Sequence, residues 1–275
     1  MRKLTKIGIG AALGLGSVMG VARIGLQVQP GPFLPPAPGA ASQEAVALPA
    51  NMPPPVVRYV GIVLGDRVPV VGSVALTGRG RLRVSGVSFL ARWRFTYTAG
   101  RDYRHEIECT WFGTPILRVN EIYRDGHLRQ ELPVGVVANE PKADQAANLA
   151  LWGEQLFWLP SGVVTDPRVR WEAIDATRAR LIVPFGPTED SFTVTFDEGT
   201  GLIRRVEALR YKSPTDAAKT PWLIDALAWR SFNGIRLPSA FSVTWQDEGT
   251  PWLEMTVEDV ANNVDVSSSF GASGP

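Results

Sequence analysis

The sequence predicts a mainly β protein. A curved antiparallel sheet of about eleven strands holds one internal helix packed on its concave face, and a membrane helix precedes it at the N-terminus. Apolar and polar residues alternate strictly over Trp93–Tyr97 and Tyr103–Trp111, as in strands with one buried face. Asp125-Gly126 and Asn233-Gly234 separate such runs and indicate tight hairpins. Beyond the N-terminus a helix is convincing only at Lys142–Pro160, and the βαβ alternation of a parallel sheet is missing.

Charge and cysteine content exclude several classes of protein. The 275 residues carry a formal net charge of +1. Residues 56–275 hold 24 basic and 26 acidic side chains, so the body offers no basic surface to nucleic acid. Cys109 is the only cysteine, which excludes an intramolecular disulfide. Its distance from the N-terminus also excludes a lipidated N-terminal cysteine.

Residues 1–27 are predicted to be either a transmembrane anchor or a signal peptide. Three basic residues precede the apolar run 7–22. Continued to Leu26, this run reaches about 20 residues, enough to span a membrane. Gly20 and Ala22 would instead suit a signal-peptide cleavage site. In both cases the body is expected outside the cytoplasm, in the periplasm or at the cell surface, and a cleaved chain would be secreted.

A proline-rich linker is predicted over residues 28–52. Nine prolines lie in residues 28–55, and each lacks an amide donor and fixes φ. We therefore expect an extended, semi-rigid spacer that holds the domain away from a bilayer. A partner that recognises the prolines is the alternative. The folded β domain is predicted to span residues 53–265, and the tail 266–275 to be disordered.

Strands are expected on both sides of the internal helix. Before the helix they run from Gly72 to Leu132, with a short helix started by the prolines at 53–55 and a turn at Gly78-Arg-Gly80. After it they run from Val169 onward. The helix residues predicted to face the sheet are Leu149, Trp152, Gly153, Leu156 and Phe157. Those predicted to be more exposed are Asp144, Gln145 and Asn148.

An ordered set of short motifs resembles a known family. The motifs are PPPVVRYV beginning at Pro53, WLP at 158–160, VRWEAID at 169–175, FDEGTGLIRRVEA at 196–208, TPW at 220–222, NGIRLPSAFSVTW at 233–245 and WLEMTVEDV at 252–260. Together they resemble an uncharacterised bacterial family, a domain of unknown function behind an N-terminal membrane segment. That family is similar to the LolA-type lipoprotein-carrier fold. The resemblance implies a half-barrel closed by helices over a hydrophobic cavity, and it implies no catalytic residues.

Few residues suggest catalysis. His105 and Cys109 share a strand face but lie about 13 Å apart at 3.3 Å per residue, too far for a Cys–His pair. Glu154 is expected to face solvent or to act as a capping carboxylate. The functional alternative is that its carboxylate faces a cavity. We predict no metal site, because the potential ligands are not clustered, and no cofactor, because no phosphate-binding, dinucleotide or hydrolase motif is present.

Aromatic side chains on the inward face of the sheet and on the helix are the candidate ligand-binding residues. The candidates for lining a cavity are Trp93, Phe95, Tyr97, His105, Trp111, Trp152, Phe157 and Trp245. They suit either a packed core or a pocket for an apolar ligand.

The sequence favours a non-catalytic, membrane-tethered domain outside the cytoplasm that binds a lipid or other hydrophobic molecule. A structural or protein-interaction module of the cell envelope is the first alternative. A hydrolase is the second, and a deep pocket joining His105 to a carboxylate from another strand would favour it.

Overall fold

The computed structural model describes residues 23–40, 42 and 44–271. Within them the helices are α1 (Pro54–Val63), α2 (Pro141–Trp158) and α3 (Pro160–Thr165), with a 3-10 helix at Ser267–Phe270. The strands are β1 (Ala45–Val46), β2 (Val68–Pro69), β3 (Ser73–Val84), β4 (Val87–Thr98), β5 (Asp102–Trp111), β6 (Thr114–Arg124), β7 (His127–Leu132), β8 (Gly135–Ala138), β9 (Arg170–Ala173), β10 (Arg178–Phe185), β11 (Thr188–Phe196), β12 (Ile203–Arg210), β13 (Thr220–Phe232), β14 (Ile235–Trp245) and β15 (Pro251–Asn262).

One large curved sheet forms the body. Its 13 strands follow the order β8-β7-β6-β5-β4-β3-β15-β14-β13-β12-β11-β10-β9, and every neighbouring pair is antiparallel. The last strand pairs with β3 and so joins the two halves of the sheet. The predicted antiparallel, mainly β class is confirmed. The predicted number of about eleven strands is too low, partly because the short edge strand β8 lies in a stretch interpreted as a loop.

Helices α2 and α3 carry the chain from one edge of the sheet, at β8, to the other, at β9. Because α2 contacts strands as far apart in the sheet as β7 and β10, the sheet must curve around it. All five residues predicted to face the sheet are buried, and four of them are among the most buried in the protein: Leu149, Trp152, Leu156 and Phe157.

The polar residues at the start of α2 are buried, so the prediction that they are more exposed is wrong. Asp144 accepts a hydrogen bond from the backbone N–H of Leu128 at 2.7 Å. Gln145 and Asn148 donate to Asp190 over 2.8 Å and 3.1 Å. The curved sheet encloses the helix on both sides, and each of these three side chains finds a hydrogen-bond partner there.

Both predicted two-residue hairpins are confirmed. Asp125 and Gly126 have φ of 52° and 85°, and Asn233 and Gly234 have φ of 50° and 84°. Two successive residues with positive φ are the requirement of the type I′ turn, which asparagine, aspartate and glycine meet at low cost.

The predicted turn at Gly78-Arg-Gly80 is wrong, because β3 runs through it without a break. A Cβ at Gly78 would lie 2.0 Å from the Thr256 carbonyl oxygen, and one at Gly80 would lie 2.1 Å from that of Glu254. The two glycines therefore permit a close approach of β15 to β3.

The proline-rich segment lies along the outer face of the sheet, opposite α2. Arg79 and Arg92 each donate to a carbonyl oxygen in this segment over 3.4 Å, those of Pro30 and Gly31. Phe33 packs beneath the guanidinium groups of Arg92 and Arg94, at 4.6 Å and 4.8 Å. These contacts hold residues 30–33 against the domain.

The two ends of the chain differ from expectation in different ways. The predicted N-terminal membrane segment falls mainly on residues 1–22, which lie outside the described residues. Over 23–40, 42 and 44–271, no helix has the length and apolar character needed to cross a membrane. At the other end, Ser267–Phe270 is ordered, since Arg104 and Arg124 donate to the carbonyl oxygens of Ser269 and Phe270. Disorder was therefore the wrong prediction for that turn.

Candidate ligand-binding cavity

A cavity of about 460 Å³ lies between α2 and the concave face of the sheet and is open at one end. Pockets of this size, lined mainly by apolar groups with a few polar ones, are typical of small-molecule sites. The apolar wall includes Leu82, Phe95, Ile107, Val119, Leu128, Val137, Val243 and Leu253. These residues come from both halves of the sheet, so the cavity depends on its curvature.

Small side chains on α2 make room for the cavity. Ala143, Ala146 and Ala150 follow one another at helical spacing and line the cavity together with Glu154. The same stripe closes one turn further along the helix, where a Cβ at Gly153 would lie 3.1 Å from Phe192 and 3.3 Å from Trp222. On the opposite side of the helix, Trp152 and Leu156 are buried in the core.

Glu154 belongs to a polar cluster in the cavity wall. The Tyr97 hydroxyl donates to Glu154 Oε2 over 2.6 Å. The Nε2 atom of His105 lies 3.0 Å from that same oxygen and 3.1 Å from the Tyr97 hydroxyl. The interpretation of Glu154 as a solvent-facing or capping carboxylate is therefore wrong. The helix turn that carries it is pressed against β4 and β5.

A second carboxylate, Glu121 on β6, faces the other side of the His105 ring. Its Oε1 atom lies 3.8 Å from His105 Nδ1 and accepts a short hydrogen bond from the Tyr103 hydroxyl. Gln130 donates to its Oε2 atom over 2.5 Å. The imidazole is held between the rings of Phe95 and Tyr103, with centroids 4.0 Å and 4.2 Å away. Both ring nitrogens of His105 therefore face a carboxylate.

The two phenols in this cluster are held in their neutral form. Burial, and then the charge of Glu154, raises the pKa of Tyr97 well above its usual range, and burial and Glu121 do the same for Tyr103. Each hydroxyl therefore remains a hydrogen-bond donor to its carboxylate. Over the described residues no group of three or more histidine, cysteine or acidic side chains could hold a metal ion. This is consistent with the two glutamates approaching opposite sides of the ring.

The structure divides the eight candidate aromatic and histidine residues into three groups. The cavity wall contains Phe95, His105 and Trp245. The packed core contains Trp93, Tyr97, Trp152 and Phe157, each no more than 1 % exposed. Trp111 lies at the outer end of β5, where its ring meets Gly25 of the N-terminal segment. Whether the three wall residues bind a ligand stays a prediction.

The corrections have local causes. Trp93 alternates with Phe95 as expected, but its ring packs against Phe95 and Phe241 and leaves no space beside it. Trp111 is the last residue of β5, beyond a register shift of β6 against β5 at Cys109 and Thr110, and it is 38 % exposed. Cys109 itself is buried, and burial raises the pKa of its thiol to about 11.

Several residues that line the cavity were missed from the sequence, among them Glu121, Arg210 and Trp222. Glu121 carried a usable signal. It alternates in phase with Val119 and Tyr123 on β6, so an acidic residue occupied an inward position. No comparable signal marked Arg210, which is the last residue of its strand.

The fold and the cavity define a class: a curved antiparallel sheet that wraps around an internal helix and leaves a largely apolar cavity between them. The chain belongs to the family of unknown function DUF6544, whose model matches residues 42–255. The uncharacterised family expected from the ordered motifs is thus confirmed. No curated protein matches the sequence.

Solved structures with similar folds are distant in sequence. A DUF1329 family protein from Desulfovibrio piger is 13 % identical, with 78 % of this chain and 95 % of that chain covered and a TM-score of 0.45. A LolA superfamily protein from Nitrosomonas europaea is 9 % identical, with 81 % and 94 % covered and a TM-score of 0.42.

Proposed function

We propose that this protein is a membrane-tethered domain outside the cytoplasm that binds a lipid or another hydrophobic molecule in its cavity, without chemical change. The observation that carries the proposal is the alanine side of α2. A helix packed on a sheet normally presents large side chains, yet Ala143, Ala146 and Ala150 leave about 460 Å³ beside mainly apolar walls. A cavity of this kind gains affinity by removing apolar ligand surface from water.

The tether is supported by the path of the N-terminal chain. The backbone N–H of Phe112 donates to the carbonyl oxygen of Gly25 over 2.8 Å, so the chain meets the domain at the β5–β6 hairpin. The apolar run 7–22 precedes this contact directly. An alkaline phosphatase fusion after residue 271 should be active if the domain is outside the cytoplasm. An inactive fusion of normal abundance would contradict the proposed location.

Filling the cavity tests ligand binding. We expect Ala146→Phe to place its ring in the cavity and to abolish binding of the neutral fluorescent probe N-phenyl-1-naphthylamine. Ala173→Phe is the matched control, because Ala173 is exposed on the edge strand β9 and does not line the cavity. Equal binding by the wild type and both variants would show that the probe does not enter the cavity, and would overturn the proposal.

A second candidate function is hydrolysis of the bound molecule. It is favoured by one observation: the cavity brings His105 together with carboxylates from β6 and α2. A histidine held by a carboxylate at hydrogen-bond distance is the usual arrangement for general acid–base catalysis. If the protein is a hydrolase, it will release p-nitrophenol from acyl esters. His105→Gln will then lower the rate by about 100-fold or more, while Ala173→Phe leaves it unchanged.

A further inference from the structure

The open end of the cavity is lined by four basic side chains: Arg83, Lys142, Arg210 and Lys212. Two of them are paired. Lys212 lies 2.7 Å from Asp247, and both Lys212 and Arg83 bind Glu248, at 3.0 Å and 2.6 Å. Neither acid lines the cavity. The positive charges of Arg83 and Lys212 are therefore neutralised by acids outside the cavity.

Lys142 and Arg210 have no carboxylate partner among the residues that the structure describes. The Lys142 ammonium donates to the carbonyl oxygen of Asp216 over 2.6 Å. The Arg210 guanidinium lies over the ring of Trp222, with 4.6 Å from Cζ to the centroid, and 5.8 Å from that of Trp245. Cation–π contacts position the guanidinium without neutralising its charge.

Buried donors also outnumber acceptors here. Within residues 23–40, 42 and 44–271, seven buried side-chain nitrogen and oxygen atoms have no hydrogen-bond partner. Four of these are N–H groups of cavity-lining residues: Arg83 Nε, Arg210 Nε, Trp222 Nε1 and Trp252 Nε1. Buried donors without acceptors are rare in folded proteins and call for an explanation at each place. These N–H atoms are sheltered from solvent, so they show only that the protein supplies few acceptors around this end of the cavity. The unpaired charges of Arg210 and Lys142 are the groups that would attract a negatively charged ligand there.

We infer that the ligand is an anionic amphiphile, whose carboxylate or phosphate binds Arg210 and Lys142 at the open end while its hydrocarbon part lies along the alanine side of α2. This inference rests on the proposed function and adds the polarity of the ligand. The opposite orientation is disfavoured, because Glu121 and Glu154 in the wall would repel a buried anion. The cavity thus has a positive end and a negative wall.

Palmitate and hexadecanol test the inference, since they share a hydrocarbon chain and differ in the charged group. We expect the wild type to bind palmitate about tenfold or more tightly than hexadecanol in displacement of N-phenyl-1-naphthylamine. Arg210→Met keeps the length of the side chain and removes its charge, and should bring the ratio of the two affinities close to one. Arg204→Met is the control, an exposed arginine on the same strand that should keep the wild-type ratio.

The outcomes separate the inference from the proposed function. Equal affinity for the two ligands, unchanged in Arg210→Met, would overturn the inference and leave the hydrophobic cavity standing. Absence of binding by both would overturn the two together. Acetate and inorganic phosphate form the last arm. Suppose that either anion alone binds the wild type as tightly as palmitate does and that Arg210→Met abolishes this binding. The site is then one for a small free anion, and the inference of an amphiphilic ligand is overturned.

Discussion

The two sides of α2 are built from side chains of different size. On one side Leu149, Trp152 and Leu156 are buried in the core and almost inaccessible to solvent. On the other side Ala146 and Ala150 stand beside the cavity. The same helix therefore provides a packed core and a binding wall. The difference teaches that the choice between core and cavity is made largely by helix residues, since the inward face of the sheet is mainly apolar in both halves.

The largest effect is expected on the packed side. Replacing Trp152 by alanine should lower the free energy of unfolding by about 3–5 kcal/mol, because the lost contacts leave a void that close packing cannot fill. Urea unfolding would measure it. The same change at Trp245, a partly exposed residue of the cavity wall, should cost less than about 2 kcal/mol. Equal losses at the two tryptophans would remove the distinction between the two sides.

Adjacent alanines on α2 give the sharpest comparison. Ala147 is 1 % exposed and belongs to the packed core, whereas Ala146 lines the cavity. A phenylalanine at 147 must displace its neighbours, so we expect a loss of about 2–3 kcal/mol in urea unfolding. A phenylalanine at 146 enters existing space and should cost no more than about 1 kcal/mol. A larger loss at 146 than at 147 would show that the cavity closes around smaller side chains.

The sequence was informative about strands and turns and less so about the interior. Alternation placed Phe95 and His105 on the inward face, and asparagine–glycine and aspartate–glycine pairs marked the hairpins, because these signals are local. It could not place the polar start of α2, since Gln145 finds its partner, Asp190, 45 residues further along the chain. A pattern of polar residues that normally marks solvent marked buried hydrogen bonds instead.

The polar wall of the cavity should contribute less than the packed side. Glu154→Ala removes the acceptor shared by Tyr97 and His105 and leaves these two buried groups only each other as partners, so we expect a loss of about 2 kcal/mol in unfolding free energy. Glu106→Ala is the matched control. Glu106 faces Arg94 and Arg104 on the outer side of β5, where a partly exposed ion pair contributes up to about 1 kcal/mol. A gain in stability in Glu154→Ala would instead indicate a site strained for function.

The smallest effect concerns Cys109, which tests how far the cavity admits solvent. The thiol is two residues from Ile107 of the cavity wall, yet it is 1 % exposed and does not line the cavity. Burial raises its pKa to about 11, so the thiolate that reacts with alkylating reagents is scarce until the pH rises well above the usual value for cysteine. We expect no labelling of the native protein by iodoacetamide at pH about 8, and rapid labelling in urea. Labelling of the native protein as fast as the unfolded chain would mean that the cavity side opens to solvent behind Ile107. The cavity side of the domain would then differ from the packed side in how readily it opens, as well as in the size of its side chains.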